Sequence, residues 1–196
     1  MAYHRSSAFL VLFLACMGLG LSLAAATRES FTCYWTPSES GICRGKAADT
    51  GIQDCNTKQE IAKVCGDFWN KIHTEGAGKL KDGRYVTCQD NNCYCFGVTD
   101  GPKGSKDNNL HLYVSIAVPG QKYPFGTKLE ISQLKGLVLP GGGRHNGCVR
   151  VEDSCTSCNM DFYVGLKRNY DAIDAQVTGA WDVTSGSNCE IWNYGN

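Results

Sequence analysis

Three runs of sequence decide the fold: YPFGTKLEI at residues 123–131, GCVRVED at 147–153 and NMDFYV at 159–164. In each run apolar and polar residues alternate, as in β-strands with one buried face. Because side chains repeat every two residues along a strand, Val149, Val151 and Asp153 are predicted to share one face. By the same rule Asp161 is predicted to lie opposite an apolar face. The sequence therefore places two carboxylates at strand positions.

These runs resemble the 3D domain, a small double-psi β-barrel family named for three aspartates. Its relatives include lytic transglycosylases, expansins and barwin-like proteins. The resemblance covers Ile116 to Val183 and rests on three segments: AVPGQKYPFGT at 117–127, VED at 151–153 and MDF at 160–162. The first family aspartate falls on Pro119, and Ser154-Cys155 stands where the family has two glycines. The resemblance implies a mainly β fold, a six-stranded double-psi β-barrel.

The N-terminus has the pattern of a secretory signal peptide, with a basic start at His4 and Arg5, an apolar run and a small-residue cleavage site. We predict residues 1–26 as the signal peptide and 27–196 as one barrel domain. The whole chain has 19 basic and 19 acidic residues, and the signal peptide contains only one of them, Arg5. The remaining chain, close to neutral, offers no broad field for nucleic acid or an anionic membrane. We therefore expect a secreted, extracellular monomer.

The cysteine content points to the same compartment. Of 12 cysteines, only Cys16 lies in the predicted signal peptide. In an exported chain this density indicates a disulfide framework, although the pairing cannot be deduced. The remaining number is odd, so we expect at least one cysteine that is free, metal-bound or paired with another chain.

One amphipathic helix is predicted within the barrel sequence. Thr57 to Glu60 reads as a capping box, and apolar residues follow it at helical spacing until Gly76. The segments 84–88 and 93–98 read as a hairpin, residues 110–118 as a strand, 166–172 as a short helix and 175–183 as the last barrel strand.

The resemblance implies roles for the two carboxylates. In sugar-active relatives the aspartate at the position of Asp161 is a general acid on a glycosidic oxygen, and burial would keep such an acid protonated. Asp153 is the natural partner, either activating water or stabilising positive charge on the sugar ring. The alternatives are that backbone N–H groups simply hold Asp161 at a barrel turn, and that Asp153 caps the turn at 154–158.

Aromatic side chains are common platforms for sugars. We predict that Tyr34, Trp35, Tyr163 and Trp181 bind the substrate, and that His145 is a further residue of the substrate-binding groove.

Zinc is an alternative use for part of this sequence. His145, Cys148, Cys155 and Cys158 include the Cys-x-x-Cys spacing of a metal site. Because thiols of exported proteins oxidise, we expect disulfides there, and neither a metal nor a cofactor.

The predicted function is cleavage of a cell-wall polysaccharide at its glycosidic bonds, as in lytic transglycosylases, with Asp161 as the acid. Two alternatives remain open at this point. One is a non-catalytic carbohydrate-binding or wall-loosening module like expansins and barwin-like proteins. The other is a secreted effector or defence protein.

Overall fold

The computed structural model describes residues 26–120, 122–156 and 158–195. The predicted signal peptide lies outside these residues except for Ala26. The strands are β1 (Thr27–Tyr34), β2 (Thr50–Gln53), β3 (Glu60–Val64), β4 (Ala77–Lys79), β5 (Tyr85–Cys88), β6 (Phe96–Thr99), β7 (Ser115–Pro119), β8 (Lys128–Ile131), β9 (Cys148–Cys155), β10 (Met160–Tyr163) and β11 (Gly179–Ser185). The helices are α1 (Glu39–Ile42), α2 (Gly66–Glu75) and α3 (Lys167–Val177), and Ser132–Leu134 form a 3-10 turn.

Six strands close into a barrel in the order β1-β10-β7-β9-β8-β11. The pairs β1/β10 and β7/β9 are parallel, and the other neighbours are antiparallel. Alternate residues of each strand point inward, as in Ile116 and Val118 on β7 and Met160 and Phe162 on β10, and these form one buried cluster. The mainly β, six-stranded barrel expected from the sequence is thus confirmed.

A large insertion separates β1 from β7. It contains the hairpin sheet β2/β3, the sheet β4-β5-β6, and helices α1 and α2. Its apolar side chains form a second buried cluster, which includes Ile52, Phe68, Ile72, Val86 and Phe96. The sequence predicted the hairpin β5/β6 and one helix in this region, but not β2, β3, β4 or α1.

The predicted start of the amphipathic helix is wrong. The Asp54 carboxylate accepts hydrogen bonds from the backbone N–H groups of Asn56 and Thr57, at 2.9 and 2.8 Å, which holds Thr57 in the turn between β2 and β3. Glu60–Val64 is a strand, and α2 begins only at Gly66. The apolar spacing that predicted one long helix therefore belongs to a short strand followed by a helix.

Smaller differences occur at other boundaries. Strand β7 begins at Ser115 rather than at residue 110, because Tyr113 adopts a positive φ of 57° that interrupts an extended chain. Helix α3 continues to Val177, and β11 begins at Gly179. Among the residues that the structure describes, no helix is both long enough and apolar enough to cross a bilayer.

Five disulfides link ten of the described cysteines. Cys43–Cys65, Cys55–Cys95 and Cys88–Cys93 lie in the insertion, while Cys148–Cys189 and Cys155–Cys158 lie in the barrel. Within the described residues Cys33 is the free thiol, and it is buried in the barrel cluster. Burial raises the pKa of this thiol well above its usual value.

Candidate functional site

A row of four residues crosses the outer face of the barrel. Thr32 on β1 pairs with Asp161 on β10, Asp161 pairs with Ala117 on β7, and Ala117 pairs with Asp153 on β9. Their sequence neighbours, such as Met160 and Phe162, are in the core. Since directly paired residues in a sheet point to the same side, the two carboxylates share this outer face. At roughly 4.8 Å per strand, their Cα atoms are about 10 Å apart, which leaves space for ligand atoms between the carboxyl groups.

A β-bulge brings Asp153 to this face. The pairing of β7 with β9 passes from Ile116↔Val151 to Ala117↔Asp153, so Glu152 is the extra residue. Strict alternation predicted Asp153 on the same face as Val149 and Val151, and that prediction is wrong because of the bulge. Without the bulge the Asp153 carboxylate would point into the apolar core.

Both carboxylates line an open groove of about 720 Å³ between the barrel and the insertion. The barrel contributes Tyr34, Ala117, Gly120, Asp153, Ser154, Cys155, Thr156 and Asp161, and the end of α2 contributes Thr74 and Glu75. This cavity is the groove. Its outline depends on both parts of the chain, because one wall comes from the barrel sheet and the other from the insertion.

Asp161 is held in a setting that favours its neutral form. Burial, and then the negative charges of Glu75 and Asp153, raise its pKa from 3.8 to about 6. One carboxylate oxygen of Asp161 and the sulfurs of Cys155 and Cys158 lie within 4.8 Å of one another, so the disulfide covers one side of the group. The Thr32 hydroxyl donates a hydrogen bond to the carboxylate and fixes its orientation.

Asp153 is held by three donors. Its Oδ2 accepts a hydrogen bond from the Tyr34 hydroxyl at 3.1 Å, and its Oδ1 accepts from the backbone N–H groups of Ser105 and Ser154, at 2.9 and 2.8 Å. Burial raises its pKa, while these three hydrogen bonds act in the opposite direction. Burial and the Asp153 carboxylate also raise the pKa of the Tyr34 phenol, which keeps it a donor. Asp153 is therefore positioned more rigidly than Asp161.

The arrangement provides one carboxylic acid that exchanges a proton near pH 6 and a second carboxylate fixed across the groove. A general acid works best when its pKa lies close to the working pH. Asp161 meets this condition, and it lines an open cavity of about 720 Å³.

Of the five residues predicted to bind substrate, Tyr34 lies in the groove. Tyr163 is buried beside Tyr34, with the two ring centroids 5.2 Å apart, and its hydroxyl forms a hydrogen bond with the Thr36 hydroxyl. Trp35 packs on Tyr170 at 4.5 Å and does not line the groove.

Trp181 and His145 are core residues. Trp181 is 8% exposed and stacks on Phe31 inside the barrel. His145 is 1% exposed; its Nε2 donates to the Tyr113 carbonyl and its Nδ1 accepts from the Gly147 N–H, both at 2.8 Å. The expectation that His145 lies in the groove is wrong, because both ring nitrogens are satisfied by backbone groups and the ring is covered.

The cysteines considered as zinc ligands are in disulfides. Cys148 pairs with Cys189, and Cys155 pairs with Cys158. A cysteine binds zinc as a thiolate, which a disulfide does not provide, so this structure leaves His145 without cysteine partners for a metal.

Sequence reasoning missed Thr32 as a contact of Asp161 and Glu75 as part of the groove. Thr32 lies on β1, and the Asp161 that it pairs with is 129 residues away in the sequence. Glu75 reaches the site only because the insertion folds back over the barrel. Pro119, at the position of the first family aspartate, pairs with Cys155 on the groove side and supplies no carboxylate.

Several solved structures share this fold. MltA from Neisseria gonorrhoeae aligns with a TM-score of 0.55 and 10% identity over 86% of this chain and 75% of that one. MltA from Escherichia coli with bound chitohexaose gives 0.54 and 13% over 82% and 72%. A membrane-bound lytic murein transglycosylase from Agrobacterium tumefaciens gives 0.54 and 11% over 82% and 76%. At these identities the similarity concerns the fold alone.

Sequence comparisons identify no relative of this chain. The chain matches no protein-family model, and no curated protein matches it.

Proposed function

We propose that this protein cleaves glycosidic bonds in a cell-wall polysaccharide, with Asp161 as the general acid and without a metal or cofactor. The observation that carries the proposal is the half-buried Asp161 carboxyl, whose pKa is raised to about 6, facing an open groove beside a second carboxylate. The shared fold with lytic transglycosylases, one of them bound to chitohexaose, supports a glycan as the ligand.

In the first step the protonated Asp161 donates its proton to the glycosidic oxygen. The bond between that oxygen and the anomeric carbon breaks, and positive charge develops on the sugar ring. Once ionised, Asp161 carries a negative charge that stabilises the ring, as do the nearby carboxylates of Asp153 and Glu75.

In the second step a hydroxyl of the same sugar attacks the anomeric carbon and gives its proton to Asp161. The product is an anhydro-sugar end, and the acid returns to its starting form. One aspartate is enough for both steps, because the acid of the first step is the base of the second. Water activation by Asp153 would instead give hydrolysis and a reducing end.

Asp153 is assigned a supporting role in this scheme. Three hydrogen bonds already occupy its oxygens, which lowers its capacity to remove a proton from water. Its fixed charge stabilises the cationic ring and raises the pKa of Asp161. Tyr34, which donates to Asp153 and lines the groove, is proposed to contact the sugar with its ring.

The roles proposed for the other four predicted substrate-binding residues depend on how deeply each one is buried. Tyr163 supports the ring of Tyr34 from behind. The amines of Lys71 and Lys167 lie 5.0 and 5.7 Å from the centre of the Trp35 ring, which is outside the groove, so a contact of Trp35 with the glycan is proposed only for an outer part of a long chain. Trp181 and His145 maintain the barrel and are not proposed to touch the glycan.

The test is to incubate the purified chain 27–196 with peptidoglycan, chitin, cellulose and β-glucan and to determine the released ends by mass spectrometry. Anhydro ends from one of these glycans would support transglycosylation. Reducing ends alone would reassign Asp153 as the base that activates water. The absence of any released product, from a folded protein, would refute the proposal.

A non-catalytic wall-binding module is the second candidate, and the structure at position 119 favours it. The family's first aspartate is Pro119 here, so the site has two of the three family carboxylates. A protein that binds one of the four glycans and releases nothing from it would establish this second function.

We also propose that residues 27–196 act as one secreted, extracellular and monomeric unit. The proposal of one unit is supported by the groove, which takes residues from both the barrel and the insertion. The five disulfides support secretion, since disulfides persist in exported proteins. Size-exclusion chromatography of the purified chain at several concentrations tests the monomer.

A further inference from the structure

A second cavity of about 440 Å³ lies beside the groove. Its walls come from three parts of the chain: Lys79 and Tyr85 of the insertion sheet, the loop that includes Asp100 and Asn109, and the start of α3 with Arg168. Tyr163 of β10 forms part of its base. Apart from Tyr163, the residues that line this cavity have no role in the proposed cleavage.

The charges around this cavity are unbalanced. Four of its lining residues carry or can carry charge: Lys79, Asp100, His111 and Arg168. Asp100 is paired with Lys103 at 2.8 Å, and His111 contacts Glu152 at 2.9 Å. Within the described chain, neither Lys79 nor Arg168 has a carboxylate partner, so the cavity has two uncompensated cations.

The local geometry further favours a negatively charged ligand in this cavity. The Lys79 amine lies 5.2 Å from the centre of the Tyr85 ring, which holds it at the cavity wall. The first turn of α3 also faces the cavity, and its N-cap residue Leu166 provides no side-chain hydrogen bond to the helix. The N-terminus of a helix carries partial positive charge and free N–H groups, which favour an anion.

The cavity and the groove are neighbours along β10. Tyr163 follows Asp161 by two residues, about 6.6 Å at the rise of a strand, and both are on the outer face. The Tyr34 ring lines the groove and packs on Tyr163, which lines the cavity. The loop between them also spans both, since the Ser105 N–H bonds to Asp153 while Asp100 and Asn109 line the cavity.

We propose that this cavity, bounded by Lys79, Tyr85, Tyr163 and Arg168, binds a carboxylate carried by the glycan whose backbone lies in the groove. The inference rests on the proposed function and specifies its substrate class as an acidic glycan. The carboxylate belongs either to a sugar unit or to a peptide attached to it, and both present the planar anion that Arg and Lys bind by charge-assisted hydrogen bonds.

The test measures binding in an Asp161→Asn background, where the ligand is not consumed. The probes are chitohexaose, which is neutral, a hexasaccharide of alternating N-acetylglucosamine and N-acetylmuramic acid, and the same hexasaccharide with peptides attached. The double variant Lys79→Gln/Arg168→Gln is compared with Arg44→Gln/Lys63→Gln, which removes the same charge from exposed positions outside both cavities. Melting curves verify that each variant is folded.

We expect the carboxylated glycans to bind about tenfold more tightly than chitohexaose, as is typical for the loss or gain of charge-assisted hydrogen bonds. The cavity variant should lose this preference while its affinity for chitohexaose stays within about twofold, and the control variant should keep the preference. A preference seen only with the peptide-bearing probe would identify the peptide as the carrier of the carboxylate.

Two results would overturn the inference in different ways. Equal affinity for neutral and acidic glycans, unchanged by Lys79→Gln/Arg168→Gln, would disprove the carboxylate site and leave the glycan-cleaving function intact. Failure of every probe to bind, together with no turnover by the wild type, would refute the proposed function and this inference with it.

Discussion

Glu75→Gln tests how the groove controls the proton of Asp161. The pKa of Asp161 rises from 3.8 to about 6 through burial, then Glu75, then Asp153, in decreasing order. Because burial is the largest of the three causes, Glu75 accounts for less than half of the rise. Neutralising Glu75 also releases Lys71, which it binds at 2.6 Å, and a free cation nearby acts in the same direction. We therefore expect the pKa of Asp161 to fall by about half a unit, or roughly 0.7 kcal/mol.

The assay is the pH dependence of glycan cleavage at low substrate concentration. A general acid must be protonated, so activity falls as the pH rises through its pKa, and Glu75→Gln should move this alkaline limb about half a unit lower. At pH 7 the protonated fraction of Asp161 would drop from about 10% to about 3%, and this change alone would lower the rate about threefold.

Asp171→Asn is the matched control, because Asp171 also forms an i,i+4 ion pair with a lysine but lies on α3 and not in the groove. The control should leave the limb in place. An alkaline limb that stays fixed in Glu75→Gln, or moves to higher pH, would refute the assignment of Asp161 as the acid.

Three further predictions concern stability. Asp161→Asn should stabilise the protein by about 1–2 kcal/mol at pH 7 and much less at pH 4, because the pKa of Asp161 is raised from 3.8 to about 6 on folding, so the cost of ionising it builds up between these two pH values and is complete above about pH 6. Chemical denaturation at both pH values measures this, and equal effects at both would contradict it. Burial lowers the pKa of His145 from 6.5 to about 4, so between these pH values the unfolded state binds more protons, and the free energy of unfolding should fall by about 2–3 kcal/mol as the pH drops from 6.5 to 4. The fall is measured by denaturation in the Asp161→Asn background, and the contribution of His145 should vanish in His145→Gln. Reduction of the five disulfides should lower the melting temperature markedly, since each disulfide typically contributes about 2–4 kcal/mol to stability. Without reduction, an alkylating reagent should label one thiol, Cys33, and only in the unfolded protein; labelling of the native protein would contradict the burial of Cys33.

The regular parts of the barrel were predictable from alternation alone. Strand β10 keeps strict alternation, so the outward position of Asp161 followed directly from its neighbours. Asp153 was assigned to the wrong face because a bulge depends on the pairing of two strands, which a single run of sequence does not contain. Both carboxylates were nevertheless correctly singled out as residues at strand positions.

Other parts of the site depend on contacts between distant segments. Glu75 enters the groove through the fold of the insertion, and no local pattern marks the end of a helix as part of a site. His145 and Trp181 were predicted to lie in a substrate-binding site, but a histidine or tryptophan is also stable in a core when its polar atoms form hydrogen bonds or its ring is shielded from water. Of the two backbone partners of His145, Gly147 is only two residues away in the sequence, whereas Tyr113 is 32 residues away and is brought close by the fold.

The most direct test of the central claim compares turnover and binding in Asp161→Asn. The substitution keeps the size of the side chain and its place opposite the Met160/Phe162 face, while it removes the transferable proton. On a glycan that the wild type cleaves, we predict a fall in turnover of 10²–10⁴-fold, typical for the loss of a general acid, with an affinity unchanged within about twofold. An Asp161→Asn protein that cleaves this glycan at close to the wild-type rate would contradict the claim that Asp161 is the acid.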